Sequence, residues 1–580
     1  MSRPLLIIAV LLLHFTCGAQ DIITKFEQSK GTQTPTYAEI VSWWQHLDES
    51  SGKVKMLTMG MSDAGFPLHL VLVSNNGDYN LANIHQHDKR IILINNGIHP
   101  GEPDGIDASM LLVRDIAAGK YKIPDGIILA FIPVYNIGGC LNRSADYRVD
   151  QNGPEEFGFR GNSENLDLNR DFIKCDSREA RSFVSIFHAL DPDVFVDNHV
   201  SDGADYQHVV TLLASQHDKL GGVMGEFMNK QFEPGIYASM KEKGYDLIPY
   251  VNAFGDTPEN GWPEFWDGPR FGSGYGSLWN TFSFVPETHM LKPYDQRVKA
   301  TYQLMQCFIE FTVRNSALIK KTRDEAKKAV RSATSFPLNW SLDKTRQGEI
   351  LFKGYASGHK PSEISGLPRL YYDRSKPFEK KIPFFNHYTA QENVKAPTAY
   401  IIPQGWWKVI ELLQLNKVKM TALKRDTAID VEVYRISDYK ASPRPYEMHH
   451  INTGVKTESK MEKRKFRKGD WLIPMNQEAN RFIFEVLEPK AEDSYFTWNF
   501  FDGVLGQKEG YSAYAFEDIA AEYLKNNPGL QTKLDQRRRS DTAFARNGSA
   551  QLNFIYQNSP WIEPVFMEYP VCRVAGGMGN

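Results

Sequence analysis

Four short apolar runs constrain this chain more than any other feature. They are Arg90–Asn95 (RIILIN), Gly126–Val134 (GIILAFIPV), Asp193–Asp197 (DVFVD) and Thr281–Val285 (TFSFV). Each is rich in β-branched or aromatic residues and lacks the polar alternation of a half-solvated strand, as expected of strands buried on both faces. Stretches with apolar residues at helical spacing lie between them, over Asp104–Ala118 and Ser177–Ala189. Strands alternating with helices predict an α/β sheet covered on both faces. Asp295 to about Ser332 is also helical and ends in the basic stretch KKTRDEAKKAVR, where the first domain is expected to end. After residue 335 short strand-like runs dominate, such as Gly348–Tyr355 and Asp430–Tyr434, with one helix near Trp406–Leu415. The expected division is 1–19 as a signal peptide, 20–335 as an α/β domain and 336–580 as a β-rich C-terminal domain.

Charge and composition narrow the partners. The 67 Lys and Arg nearly balance the 70 Asp and Glu, for a net charge of −3, so no global field draws the chain to nucleic acid or a membrane surface. The basic run Lys456–Lys468 is interrupted by glutamates and is expected to be a solvated hairpin. At the N-terminus, Arg3 precedes the apolar run Leu5–Leu13 and the small-residue stretch Cys17-Gly18-Ala19. That layout predicts an exported protein, periplasmic or secreted, cleaved after Ala19. Lipidation of Cys17 is the alternative, although His14-Phe15-Thr16 is a poor lipobox. The run is too short to span a bilayer, and no later segment is long and apolar enough. Export would leave Cys140, Cys175, Cys307 and Cys572 as disulfides in one of three pairings or as buried free thiols.

A catalytic metal wants three His, Glu, Asp or Cys ligands and an open position. His-x-x-Glu occurs twice. His46 and Glu49 lie in an amphipathic stretch with no partner motif, so they are expected at the surface. His99 and Glu102 lie in the Gly- and Pro-rich turn NGIHPGEP directly after RIILIN, where open α/β sheets bind ligands. His199, just after DVFVD, supplies a third ligand from a second strand end, and Glu287, past TFSFV, is placed to act as a base. Asn169-Arg170 offers an amide and a planar guanidinium fork suited to a carboxylate. Arg160 is placed to meet an oxyanion. Asp167 is placed to accept a hydrogen bond from the outer nitrogen of a metal-bound histidine.

His99-x-x-Glu102, Asp167-x-Asn169-Arg170, His199 and Glu287, in that order, resemble the zinc carboxypeptidases of the carboxypeptidase A type, peptidase family M14, over about residues 35–320. The resemblance implies a mixed, mostly parallel sheet. It implies one zinc ion on His99, Glu102 and His199, with Glu287 as general base and acid. It further implies Asn169 and Arg170 as the clamp on the substrate's C-terminal carboxylate, and Arg160 as the group polarising the scissile carbonyl, a role for which Arg143 and Arg148 also stand close. The expected activity is hydrolysis of the last peptide bond of peptides or proteins with a free C-terminus. The same zinc site acting on cell-wall peptides or acylated amino acids is the alternative enzyme, and a non-catalytic peptide-binding protein is the alternative class. Two departures stand out. Gly101 replaces an arginine common in the pancreatic-type enzymes. Neither Tyr275 nor Tyr250 stands at the spacing of the family's capping tyrosine. The Gly-rich stretch Asp267–Gly276 is expected to shape the specificity pocket.

Overall fold

A computed structural model describes residues 22–574 except 78, 83 and 85–87. The expected signal peptide and Cys17 lie outside the described residues. A central sheet is built from β1 (Val54–Met61), β2 (Pro67–Val73), β3 (Arg90–Asn95), β4 (Ile127–Ile132), β5 (Val194–Asp197), β6 (His199–Ser201), β7 (Val210–Ala214), β8 (Ile248–Pro249) and β9 (Phe282–His289). Its order is β1-β2-β4-β3-β5-β9-β7-β8, with β6 also pairing β9. The centre, β4-β3-β5-β9, is parallel, and antiparallel pairs lie toward the edges. All four predicted runs are strands. Every residue of β3, β4 and β5 is buried.

Helices cover the sheet on both faces: α1 (Tyr37–Ser50), α2 (Asp104–Ala117), α3 (Arg178–Leu190), α4 (Gly272–Leu278), α5 (Tyr294–Arg314) and α6 (Ser316–Ser332). α1 turns Tyr37, Ile40, Trp43, Trp44 and Leu47 inward, at spacings of three and four, and leaves His46 exposed as expected. α5 is fixed to α2 by Arg297, which is fully buried. Its Nε donates to Asp104 Oδ2 at 3.0 Å, and its other nitrogens donate to the carbonyls of Gly153, Met290 and Lys292. Arg297→Ala should therefore strand a buried carboxylate and lower stability by about 3–5 kcal/mol. A urea melt showing a loss near zero would reject this role for the pair.

The region after 335 is β-rich, as expected, and its largest sheet has six strands, all antiparallel neighbours. Gly348–Pro361 and Thr427–Ala441 contain the two predicted strands, and Trp407–Leu415 is the predicted helix. Lys456–Lys468 falls largely in strand Asn452–Phe466, hairpinned against Thr427–Ala441, with Lys456 paired to Asp438 at 2.9 Å. Helices Ala513–Lys525, Pro528–Ser540 and Gly548–Gln557 pack on one another around Leu534, Phe516 and Tyr556. The two halves share one core across residue 335: Trp279 of the first packs on Phe482 of the second. Strand Trp262–Pro263 of the first half pairs with Pro368–Phe385 of the second. Among the described residues, Cys140, Cys175, Cys307 and Cys572 are buried free thiols. No helix of the described residues is long and apolar enough to cross a membrane.

Candidate active site

The site stands on the carboxyl ends of β3 and β5, held together by a ladder of amides. Asn95 Nδ2 donates to Asp197 Oδ1 at 3.0 Å, and Asn198 Nδ2 donates to Asn96 Oδ1 at 2.9 Å. His99 follows in a tight turn closed by Glu102 N–H on the His99 carbonyl at 2.8 Å. A Cβ on Gly105, at the start of α2, would meet Asn198 Cβ and Asn96 Oδ1 at 2.5 Å, so only glycine lets the helix come this close. His199 opens β6 and lies in register with Glu287 of β9.

Glu102 bridges the two imidazoles. Its Oε1 lies 3.3 Å from His99 Nδ1 and its Oε2 lies 3.1 Å from His199 Nδ1. Val200 N–H donates to Oε2 at 2.9 Å. His99 Nε2 is tied to Asp167 Oδ1 at 2.9 Å, the hydrogen bond expected from the sequence. With Nε2 so occupied, His99 Nδ1 is buried and makes no hydrogen bond. Although burial opposes charge, His99, Arg148 and His199 hold the Glu102 carboxyl well below the usual carboxylate range. Two imidazole nitrogens and an ionised carboxylate, one nitrogen of the set orphaned and all within 4.8 Å of one another, fit a divalent cation of the zinc type.

Glu287 lines the same cavity but lies within a strand rather than past one. The sequence pattern stops at Val285 because Pro286 cannot donate to a ladder. In the fold, β9 pairs with β5 up to Phe284 and with β6 from Glu287, so Pro286 falls in the gap between the two ladders. Burial pushes the Glu287 carboxyl up to about 8, with Glu102 adding to the rise and His199, Arg160 and Arg148 opposing it.

Two of the three candidate arginines reach the site. Arg160 Nε donates to Asp167 Oδ2 at 2.9 Å, and its Nη1 stands 3.6 Å from Glu102 Oε1. Arg148 Nη1 donates to Glu102 Oε1 at 2.7 Å. Arg143 instead holds the carbonyls of Thr34, Pro35 and Glu156. Gly101 explains itself here, since a Cβ would lie 2.9 Å from Arg148 Cδ. Arg148 fills the space that a side chain at 101 would take.

Asn169 and Arg170 line the opposite wall. Arg170 Nη1 donates to the Asn169 carbonyl at 2.9 Å, and its guanidinium lies over the Phe271 ring at 4.5 Å. Arg170 Nε donates at 3.0 Å to Tyr446 Oη, from the second half of the chain. Tyr446 belongs to a turn closed by its own N–H on the His449 carbonyl and by the reverse bond. Glu447 and Met448, in the middle, both have positive φ, 47° and 69°, as a type I′ turn requires and non-glycine residues resist. Glu447 Oε2 also accepts the Asp167 N–H at 2.9 Å.

The cavity measures about 370 Å³. Its polar end is the His–Glu–His set with Arg148, Arg160, Arg170 and Glu287, and its other walls are Leu213, Tyr250, Phe254, Phe265, Phe271 and Val285. Helix α4 brings Ser273 to this wall. A Cβ on Gly274 would meet the Gly268 carbonyl at 2.0 Å, so the Gly-rich stretch is packing chemistry. Tyr250 is the tyrosine in the cavity. Tyr275 is buried elsewhere, donating to Asn416 Oδ1 at 2.7 Å. Spacing could not choose between them, and nothing local marks Tyr446.

Residues 40–199 match the family model described as zinc carboxypeptidase, a span that contains His99, Glu102, His199 and Asn169-Arg170. Carboxypeptidase 2 of Trichophyton tonsurans is 21% identical over 423 residues, covering 70% of this chain and 72% of that protein. Among solved structures, a metallo-carboxypeptidase from Burkholderia cenocepacia aligns at 14% identity and a TM-score of 0.36, over 48% of this chain and 69% of that one. A metallo-carboxypeptidase from Pseudomonas aeruginosa in complex with (2-guanidinoethylmercapto)succinic acid aligns at 14% identity and 0.36, over 49% and 68%.

Proposed function

We infer that this chain is a zinc-dependent metallocarboxypeptidase of the M14 type, a hydrolase that removes the C-terminal residue of peptides. One observation carries the reading: the buried His99, Glu102 and His199 share a single cavity with Glu287 and with the Asn169-Arg170 pair. His99, Glu102 and His199 would hold one zinc ion at this site, which supplies a Lewis acid for the scissile carbonyl and for water. Glu287 takes a proton as water attacks and returns one to the leaving amine. The Arg160 guanidinium faces the charge that develops on the carbonyl oxygen. Asn169 and Arg170 grip the terminal carboxylate, for which each terminal nitrogen of Arg170 keeps at least one N–H. The aromatic and aliphatic walls favour a large apolar C-terminal side chain.

Mass spectrometry of a peptide library after incubation tests this directly. Loss of single residues from the C-terminus, fastest for Phe, Tyr, Leu and Met, is expected. Internal cleavage, or trimming from the N-terminus, would replace the reading with another amide hydrolase. We also propose export with cleavage after Ala19. N-terminal sequencing of the mature protein should begin at Gln20, and a lipid-modified Cys17 as first residue would overturn that route.

A further inference from the structure

A second cluster of ligand-type atoms lies outside the cavity, where the two halves of the chain meet. His217 and Asp218 begin a short helical turn, His217–Leu220, and His387 lies between strands Pro368–Phe385 and Tyr388–Lys395. His217 Nε2 is 3.2 Å from His387 Nδ1, His387 Nδ1 is 3.2 Å from Asp218 Oδ2, and His217 Nε2 is 3.6 Å from the same oxygen. Bonds of about 2.0–2.2 Å to a tetrahedral cation place its ligands ~3.4 Å apart, which is the size of this triangle.

Hydrogen bonding alone satisfies the triangle poorly. A neutral imidazole carries one N–H, so a single hydrogen on His387 Nδ1 can serve Asp218 or His217 but not both. Asp218 Oδ2 already accepts the Tyr388 N–H at 2.8 Å. A cation at the centre would accept all three lone pairs at once.

The backbones that carry the ligands are pinned to each other. Gln216, next to His217, donates through Nε2 to the Asn386 carbonyl at 2.9 Å, next to His387, and its Oε1 caps the helical turn by accepting Lys219 N–H at 2.9 Å. The His387 carbonyl accepts Asp343 N–H at 2.8 Å. His217 is buried, and His387 and Asp218 keep about a fifth of their side chains exposed, which leaves an entry path and an open position for water. Arg346, a cationic neighbour, is exposed and stands 3.5 Å from Nε2 of His387, the nitrogen turned away from the triangle.

We propose that His217, Asp218 and His387 form a second zinc site, apart from the cavity, that fastens the second half of the chain to the first. Binding would close a loop running from 218 to 387, and such closures stabilise by restricting the unfolded chain.

The test is zinc content by mass spectrometry after loading with zinc and gel filtration, on the full chain. Wild type should carry two equivalents, His387→Ala one, His199→Ala one and the double variant none. His387→Ala should keep peptidase turnover, so this site can fail while the carboxypeptidase reading stands. Thermal melts guard against misfolding: added zinc should raise the midpoint of His199→Ala and leave that of His199→Ala/His387→Ala unchanged. If His387→Ala retains the zinc content of wild type, or if zinc shifts the double variant as much as His199→Ala, the second site does not exist.

Discussion

Glu287→Gln should keep its zinc and lose turnover by about 10²–10⁴-fold, the range for a positioned general acid–base group. The exchange preserves shape and the strand pairing with His199, and removes only the ability to take and return a proton. Zinc content therefore separates this variant from His199→Ala, which should lose both metal and turnover. A Glu287→Gln enzyme that works near the wild-type rate would remove Glu287 as the base. Loss of zinc in that variant would show that the carboxylate holds the metal instead.

Amidating the substrate's C-terminus should cost almost as much as removing the group that reads it. A charge-assisted hydrogen bond contributes about 1.5–3 kcal/mol, or roughly 10- to 100-fold in rate if made in the transition state. Leaving a partly buried guanidinium without its anion raises that cost. Arg170→Ala should thus slow a free-acid peptide strongly, while an amidated peptide, already poor, should lose little more. Comparing kcat/KM for both peptides in both enzymes isolates the clamp from general damage to the site. Equal cleavage of the two peptides by wild type, or an equal slowing of both in Arg170→Ala, defeats the assignment of Arg170.

The parts of this molecule that were legible in its sequence are those set by local physics. Strands buried on both faces must be apolar throughout, so RIILIN and DVFVD announce β3 and β5. Ligand-type residues cluster where such strands end, so the meeting of His99, Glu102 and His199 could be foreseen without coordinates. The rest depends on contacts between distant segments. The choice between Arg143, Arg148 and Arg160 is made by one loop that swings Arg143 onto the carbonyls near Thr34 and Arg148 onto Glu102. Tyr250 reaches the cavity on a path that residue counting does not capture. The shared core left no linker composition to find at residue 335, because Phe336 beside it is itself buried, against Phe484, and Trp279 of the first half packs on Phe482 of the second. His217, Asp218 and His387 come together from opposite sides of that boundary and carry no motif.

The hydrogen bond from Arg170 to Tyr446 also sets an order of events. The ribosome completes the His–Glu–His set, Glu287 and the arginines long before it adds the turn Tyr446–His449. Until that turn docks, Arg170 lacks its hydroxyl partner and Asp167 lacks the Glu447 carboxylate on its amide. The first half alone would therefore hold the His–Glu–His set and Glu287 while Arg170 and Asp167 still lacked their partners, so the final placement of this arginine depends on a turn 276 residues further along the chain.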